Sequence, residues 1–149
     1  MTVGLLVAAV VLLAGTTIGL WRRRTEGRLR PAAPAVVTPE EPAGRIDAEL
    51  LAALGADQPA EVTLLQFSSA FCAPCRAVRR ISAEVAAMVP GVRHVEVDAE
   101  SHLDAVRTLN IWRTPTLLVL DAEGREIKRA TGVPGKPQLI AAIGTASQR

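Results

Sequence analysis

Two cysteines, Cys72 and Cys75, stand two residues apart in Phe71-Cys-Ala-Pro-Cys75, and the chain has no others. Thiols at that spacing can exchange with a disulfide, hold a soft metal, or close a small structural ring. Their surroundings favour the first. The run Val62-Thr-Leu-Leu-Gln-Phe67 reads as a buried strand just before them, and Ala77, Val78, Ile81, Val85 and Met88 recur at helical spacing just after. The pair therefore falls at a helix start, where free N–H groups and the positive end of the helix dipole favour a thiolate. Pro74 suits a first helical turn, where its missing N–H is not needed. Cys72 is expected to enter as the nucleophile. Cys75, about one turn on, is expected to attack the mixed disulfide that forms at Cys72. A metal site would have to recruit His94 and His102, but the 18-residue gap from Cys75 to His94 matches no usual finger, and no metal is expected. A ring this small would add little stability as a purely structural disulfide.

Several elements must position these thiols. Ile46, Leu50, Leu51 and Leu54 mark a short helix that Asp47 caps and Gly55 ends. The strand before Cys72 and the helix after it follow, and Pro90-Gly91 stops that helix. Val92, Val95 and Val97 belong to a second strand, and Leu103, Val106 and Leu109 to a further helix. Thr116–Leu120 is a third strand, Asp121-Ala-Glu-Gly124 a turn, and Arg125 to Ala130 a fourth strand paired to the third as a hairpin. Leu139, Ile140 and Ile143 lie on a last helix. The order α, β, α, β, α, β, β, α predicts an α/β domain over residues 46–146, with a mixed four-stranded sheet and helices on both faces.

In this setting the sequence resembles the thioredoxin superfamily. Phe71-Cys-Ala-Pro-Cys75 is similar to the family's Trp-Cys-Gly-Pro-Cys, and Arg113-Thr-Pro-Thr116 to its second signature. The resemblance implies a thioredoxin-like fold, a cis bond between Thr114 and Pro115, and a substrate groove edged by Trp112, Arg113 and Gly132. It also implies protein disulfides as substrates and no cofactor beyond the redox-active pair itself. Electrons would come from a thioredoxin reductase or a membrane electron donor. Phe71 and Ala73 depart from the family's Trp and Gly. Gln66 stands where the family keeps a buried Asp that takes the resolving thiol's proton, and His94 where it keeps a Lys. An amide cannot act as a base, so that proton must pass to His94 or to water. Other readings of the same dithiol are a non-catalytic binding module, a Cu(I) carrier and a redox sensor.

The remaining third of the chain is not domain-like. Thr2 to Trp21 carry no charge, and twenty residues at about 1.5 Å each match a bilayer's hydrocarbon core. No Lys or Arg precedes the run and Arg22–Arg24 follow it, the reverse of a cleaved signal peptide. An uncleaved single-pass anchor over residues 1–21 is expected, its arginines holding the following domain on the cytoplasmic face. Residues 22–45 form a basic juxtamembrane segment and a proline-rich linker. With Pro31, Pro34, Pro39 and Pro42, the linker would be extended and reach roughly 45 Å at about 3.1 Å per residue. The net charge of +2 divides unevenly: five arginines against Glu26 give residues 22–30 a charge of +4, and the other 12 basic and 14 acidic residues give −2. A nucleic-acid-binding domain should be basic over its folded part, so no nucleic-acid partner is expected.

Overall fold

The computed structural model describes residues 2–25, 30–31 and 44–147. Helix α1 (Thr2–Thr25) holds the charge-free run. Its described apolar side chains, Leu12 and Trp21 among them, are exposed. Among the described residues no helix is long and apolar enough to cross a membrane. The side chains of Arg22–Arg24 and most of the proline-rich linker, including Pro34, Pro39 and Pro42, lie outside the described residues.

The domain follows as α2 (Ala48–Ala53), β2 (Val62–Ser68), α3 (Ala73–Met88), β3 (Val92–Asp98), α4 (Leu103–Thr108), β4 (Thr116–Asp121), β5 (Glu126–Thr131) and α5 (Lys136–Ala146), with a short β1 (Arg30–Pro31) ahead of it. The sheet order is β1-β5-β4-β2-β3. β2 lies near the middle, parallel to β3 and antiparallel to β4. Every residue of β2 and of β4 is buried. Both faces of these strands are covered, which explains why they read as continuous apolar runs rather than alternating ones.

On one face Val62, Leu64, Leu117 and Val119 meet Val78 and Val85 of α3 and Leu139 and Ile143 of α5. On the other, Leu65, Phe67, Leu118 and Leu120 meet Ile46 and Leu54 around α2 and Ala105 and Leu109 around α4. One helical face differs from expectation. Met88 is exposed while Ser82 is fully buried, because α3 turns its Cys75–Val78–Ser82–Val85 stripe to the sheet and Met88 lies to one side of that stripe.

The four expected strands form the domain's mixed sheet, and a two-residue β1 adds a fifth at its edge. The fifth comes from Arg30–Pro31, which pairs antiparallel with Arg129 and Lys128 of β5. Further along the same edge, Arg45 bridges Arg125, and Glu126 N–H donates to the Gly44 carbonyl at 2.8 Å. An open sheet edge presents unpaired N–H and C=O groups, and the chain ahead of α2 covers them. At the β4–β5 turn, Asp121 accepts from the N–H groups of Glu123 and Arg125 and from Arg125 Nε. Gly124 takes φ +77° there, a left-handed conformation that glycine enters without steric cost.

Candidate active site

Residues 69–72 between β2 and α3 and residues 109–115 between α4 and β4 bring the site together. Cys72 and Cys75 are joined as a disulfide with Cα atoms 5.2 Å apart. The two sulfurs are not equivalent. Cys75 lies inside the first turn of α3 and is 1% exposed, whereas Cys72 is the N-cap and half-buried. The Cys75 N–H of the helix start is shared between the Cys72 carbonyl at 3.1 Å and Cys72 Sγ at 3.2 Å, so a helix-start donor faces that sulfur. Pro74 occupies the first turn. Ala73 and Pro74 are exposed, and Phe71 projects almost wholly into solvent.

The Thr114–Pro115 peptide is cis. Pro115 is buried, and its carbonyl accepts from Gly132 N–H at 2.9 Å. Gly132 has φ +94°. Ser69 and Thr114 share a hydroxyl–hydroxyl hydrogen bond of 3.0 Å, which ties the chain just before Cys72 to the cis-proline loop. Thr116 Oγ1 donates to the Arg113 carbonyl at 2.8 Å. Arg113 and Trp112 are exposed, Trp112 at 89%, so Trp112 packs in neither the core nor the sheet.

Beneath Cys75 lies a polar group in which sequence reasoning found two members and missed three. Gln66 is fully buried. Its Nε2 donates to the Cys75 carbonyl at 3.1 Å and to Ser68 Oγ at 2.8 Å, and lies 3.4 Å from Glu96 Oε1. Ser68 Oγ donates to Glu96 Oε1 at 2.5 Å, and Arg79 grips the same carboxylate through Nε and, at 2.7 Å, through Nη2. Every group around Nε2 is an acceptor, which settles the orientation of the Gln66 amide. Its Oε1 then faces His94 Nε2 at 3.1 Å. An amide oxygen only accepts, so His94 Nε2 carries a proton and only Nδ1 remains to act as a base.

Burial lowers the His94 pKa; the Glu96 carboxylate opposes that shift and the Arg79 guanidinium adds to it. Burial alone would raise Glu96, but hydrogen bonds from Arg79 and Ser68 outweigh it and hold the carboxyl below its usual range. Glu96, Ser68 and Arg79 were findable. Side chains on a strand alternate, so the face of β3 that carries His94 also carries Glu96, and Arg79 falls one helical turn after Cys75. His102 stands apart as the N-cap of α4, its Nδ1 3.0 Å from the Asp98 carbonyl.

The family profile described as Thioredoxin matches residues 52–145. A thioredoxin of Chlamydia trachomatis is 29% identical over 82 residues, covering 55% of this chain and 79% of that protein. Thioredoxin H4-1 of Oryza sativa is 27% identical over 84 residues, covering 56% of this chain and 63% of its own. Among solved structures, chloroplastic thioredoxin z superposes with a TM-score of 0.57 at 22% identity, covering 71% of this chain and 95% of that one. A mutant thioredoxin of Halobacterium salinarum gives 0.56 at 20% identity, covering 76% and 96%.

Proposed function

The chain belongs to the thioredoxin family of thiol–disulfide oxidoreductases, and on that premise we propose that it is a membrane-tethered reductase of protein disulfides. The thiolate of Cys72 attacks one sulfur of a substrate disulfide. A mixed disulfide forms and one substrate thiolate leaves. Cys75, once deprotonated, attacks the Cys72 sulfur, which closes the Cys72–Cys75 disulfide and releases the second substrate thiolate. Two electrons pass from the dithiol to the substrate. A thioredoxin reductase or a membrane electron donor restores the dithiol.

The observation that carries this order of attack is the inequality of the two sulfurs: Cys72 accepts a helix-start N–H at the surface, and Cys75 is buried behind it. The groove would run past Phe71, Ala73 and Pro74 to Trp112, Arg113, Thr114, Pro115 and Gly132, and no cofactor takes part. The tether rests on α1, whose charge-free run ends at Arg22–Arg24 and whose described apolar side chains are exposed. By the bias of positive charge, the domain faces the cytoplasm from a single-pass helix in the cell membrane.

Turnover of insulin disulfides by the full chain, with a chemical reductant as electron source, tests the function. Reduction that is lost in Cys72→Ser is expected. Stoichiometric Cu(I) uptake without turnover would instead favour a metal-carrying module.

A further inference from the structure

The family's usual buried acid is missing at Gln66, yet a charge-bearing group still lies beneath the resolving thiol. It reaches there from the next strand. Glu96 of β3 is hydrogen-bonded by Ser68, Ser68 by Gln66, and Gln66 Nε2 in turn holds the Cys75 carbonyl. Arg79 binds the same carboxylate from α3, the helix that carries both cysteines.

We propose that Glu96 is a positioning residue for the resolving step: held by Arg79, it acts on Cys75 through Ser68 and Gln66. The proposal rests on the oxidoreductase reading of the dithiol. Two elements pack against this face of β3. From β2 come Gln66 and Ser68, both neutral; from α3 comes Arg79. On β3 itself the neighbours are His94, which meets the Gln66 oxygen, and Asp98, which turns to Ser101 and the Glu100 N–H. Farther along α3, Glu84 is engaged by Lys136 of α5. Arg76, next to Cys75 on α3, is exposed; within the hydrogen-bonded group beneath the thiol, Arg79 and Glu96 are the opposite charges, paired so that each offsets the other.

The cancellation gives a signature that a purely structural ion pair would not. Breaking the pair from either side weakens the same contact, so a structural role moves both variants alike. An electrostatic role moves them apart. Glu96→Gln leaves Arg79 unopposed and favours a thiolate at Cys75. Arg79→Gln leaves the carboxylate unopposed and disfavours it.

The reduced full-length protein is mixed with excess chromogenic aromatic disulfide at a series of pH values. The first release of aromatic thiolate reports attack by Cys72, and the second reports resolution by Cys75. In Glu96→Gln the midpoint of the second phase should fall by about half a pH unit, and in Arg79→Gln it should rise by about as much. The double variant should return toward the parent, and Arg79→Lys, which keeps the charge, should match it. The first phase should not change in any of them. Ser68→Ala, a smaller change, keeps both charges and removes the hydroxyl bridge, leaving Gln66 Nε2 only its 3.4 Å approach to Glu96; it too should move the second phase and spare the first.

Shifts of the same sign in the two single variants overturn the proposal. So does an unmoved second phase in Ser68→Ala. Failure of the underlying reading looks different: the parent would show no first phase, or Cys72→Ser would leave that phase intact.

Discussion

Gln66 and His94 share one hydrogen bond, and its direction sets what each can do. His94 donates from Nε2, and burial holds its pKa below the ordinary value. The folded chain therefore binds fewer protons than the unfolded chain as pH falls below about 6.5, the unfolded value. The stability that neutral His94 contributes is present above that pH and is lost as pH falls through its lower folded pKa. Urea unfolding should thus show a larger loss of stability between pH 7.5 and pH 5.5 for the parent than for His94→Gln. Equal losses would mean that His94 is as free to ionise in the fold as outside it. At this scale the sequence is uneven. Cys72 and Cys75 stand out as the only cysteines, next to a strand and a helix. Glu96 does not, because a single acidic residue in a strand looks like ordinary solvated surface until the strand's face is known.

The elements were legible wherever periodicity was strong. β2 and β4 read as apolar runs, α3 as a spaced stripe, and the Asp121–Gly124 turn as the link of a hairpin. The end of α3 was less legible. Met88 keeps a three-residue step from Val85, but the stripe that faces the sheet continues to Val89, which still packs on the core, and Met88 lies to one side of it, a difference that apolar spacing alone does not resolve. The consequence is measurable in denaturant melts. Val85→Ala empties a fully buried site and should cost about 1–3 kcal/mol. Met88→Ala should cost less than about 0.5 kcal/mol. Comparable losses at both positions would place Met88 in the core. Strand β1 was hidden for another reason. Two residues carry no period, and Pro31 argues against a central strand while permitting an edge.

For the whole molecule, the proposed arrangement is a helical anchor, a basic juxtamembrane segment and a domain whose open edge is covered by the chain that leads into it. Arg30–Pro31 and Arg45 both pair along the β5 edge, so the proline-rich stretch begins and ends at the sheet and does not supply the roughly 45 Å reach expected of it. If the domain faces the cytoplasm, a reporter active only there should work when fused after Arg149. One that requires export should fail, and neutralising Arg22–Arg24 should weaken the preference. Activity of the export reporter in the parent would place the domain outside and call for a membrane electron donor. The most direct test of the central claim uses the full-length protein in either compartment. Cys75→Ser and Cys72→Ser are each expressed, thiols are alkylated at harvest, and disulfide-linked adducts are resolved on non-reducing gels. Cys75→Ser should accumulate mixed disulfides that a reductant dissolves, because attack at Cys72 proceeds and resolution is lost, and Cys72→Ser should accumulate none. Adducts in Cys72→Ser and none in Cys75→Ser would contradict the assignment of the buried sulfur as the resolving one.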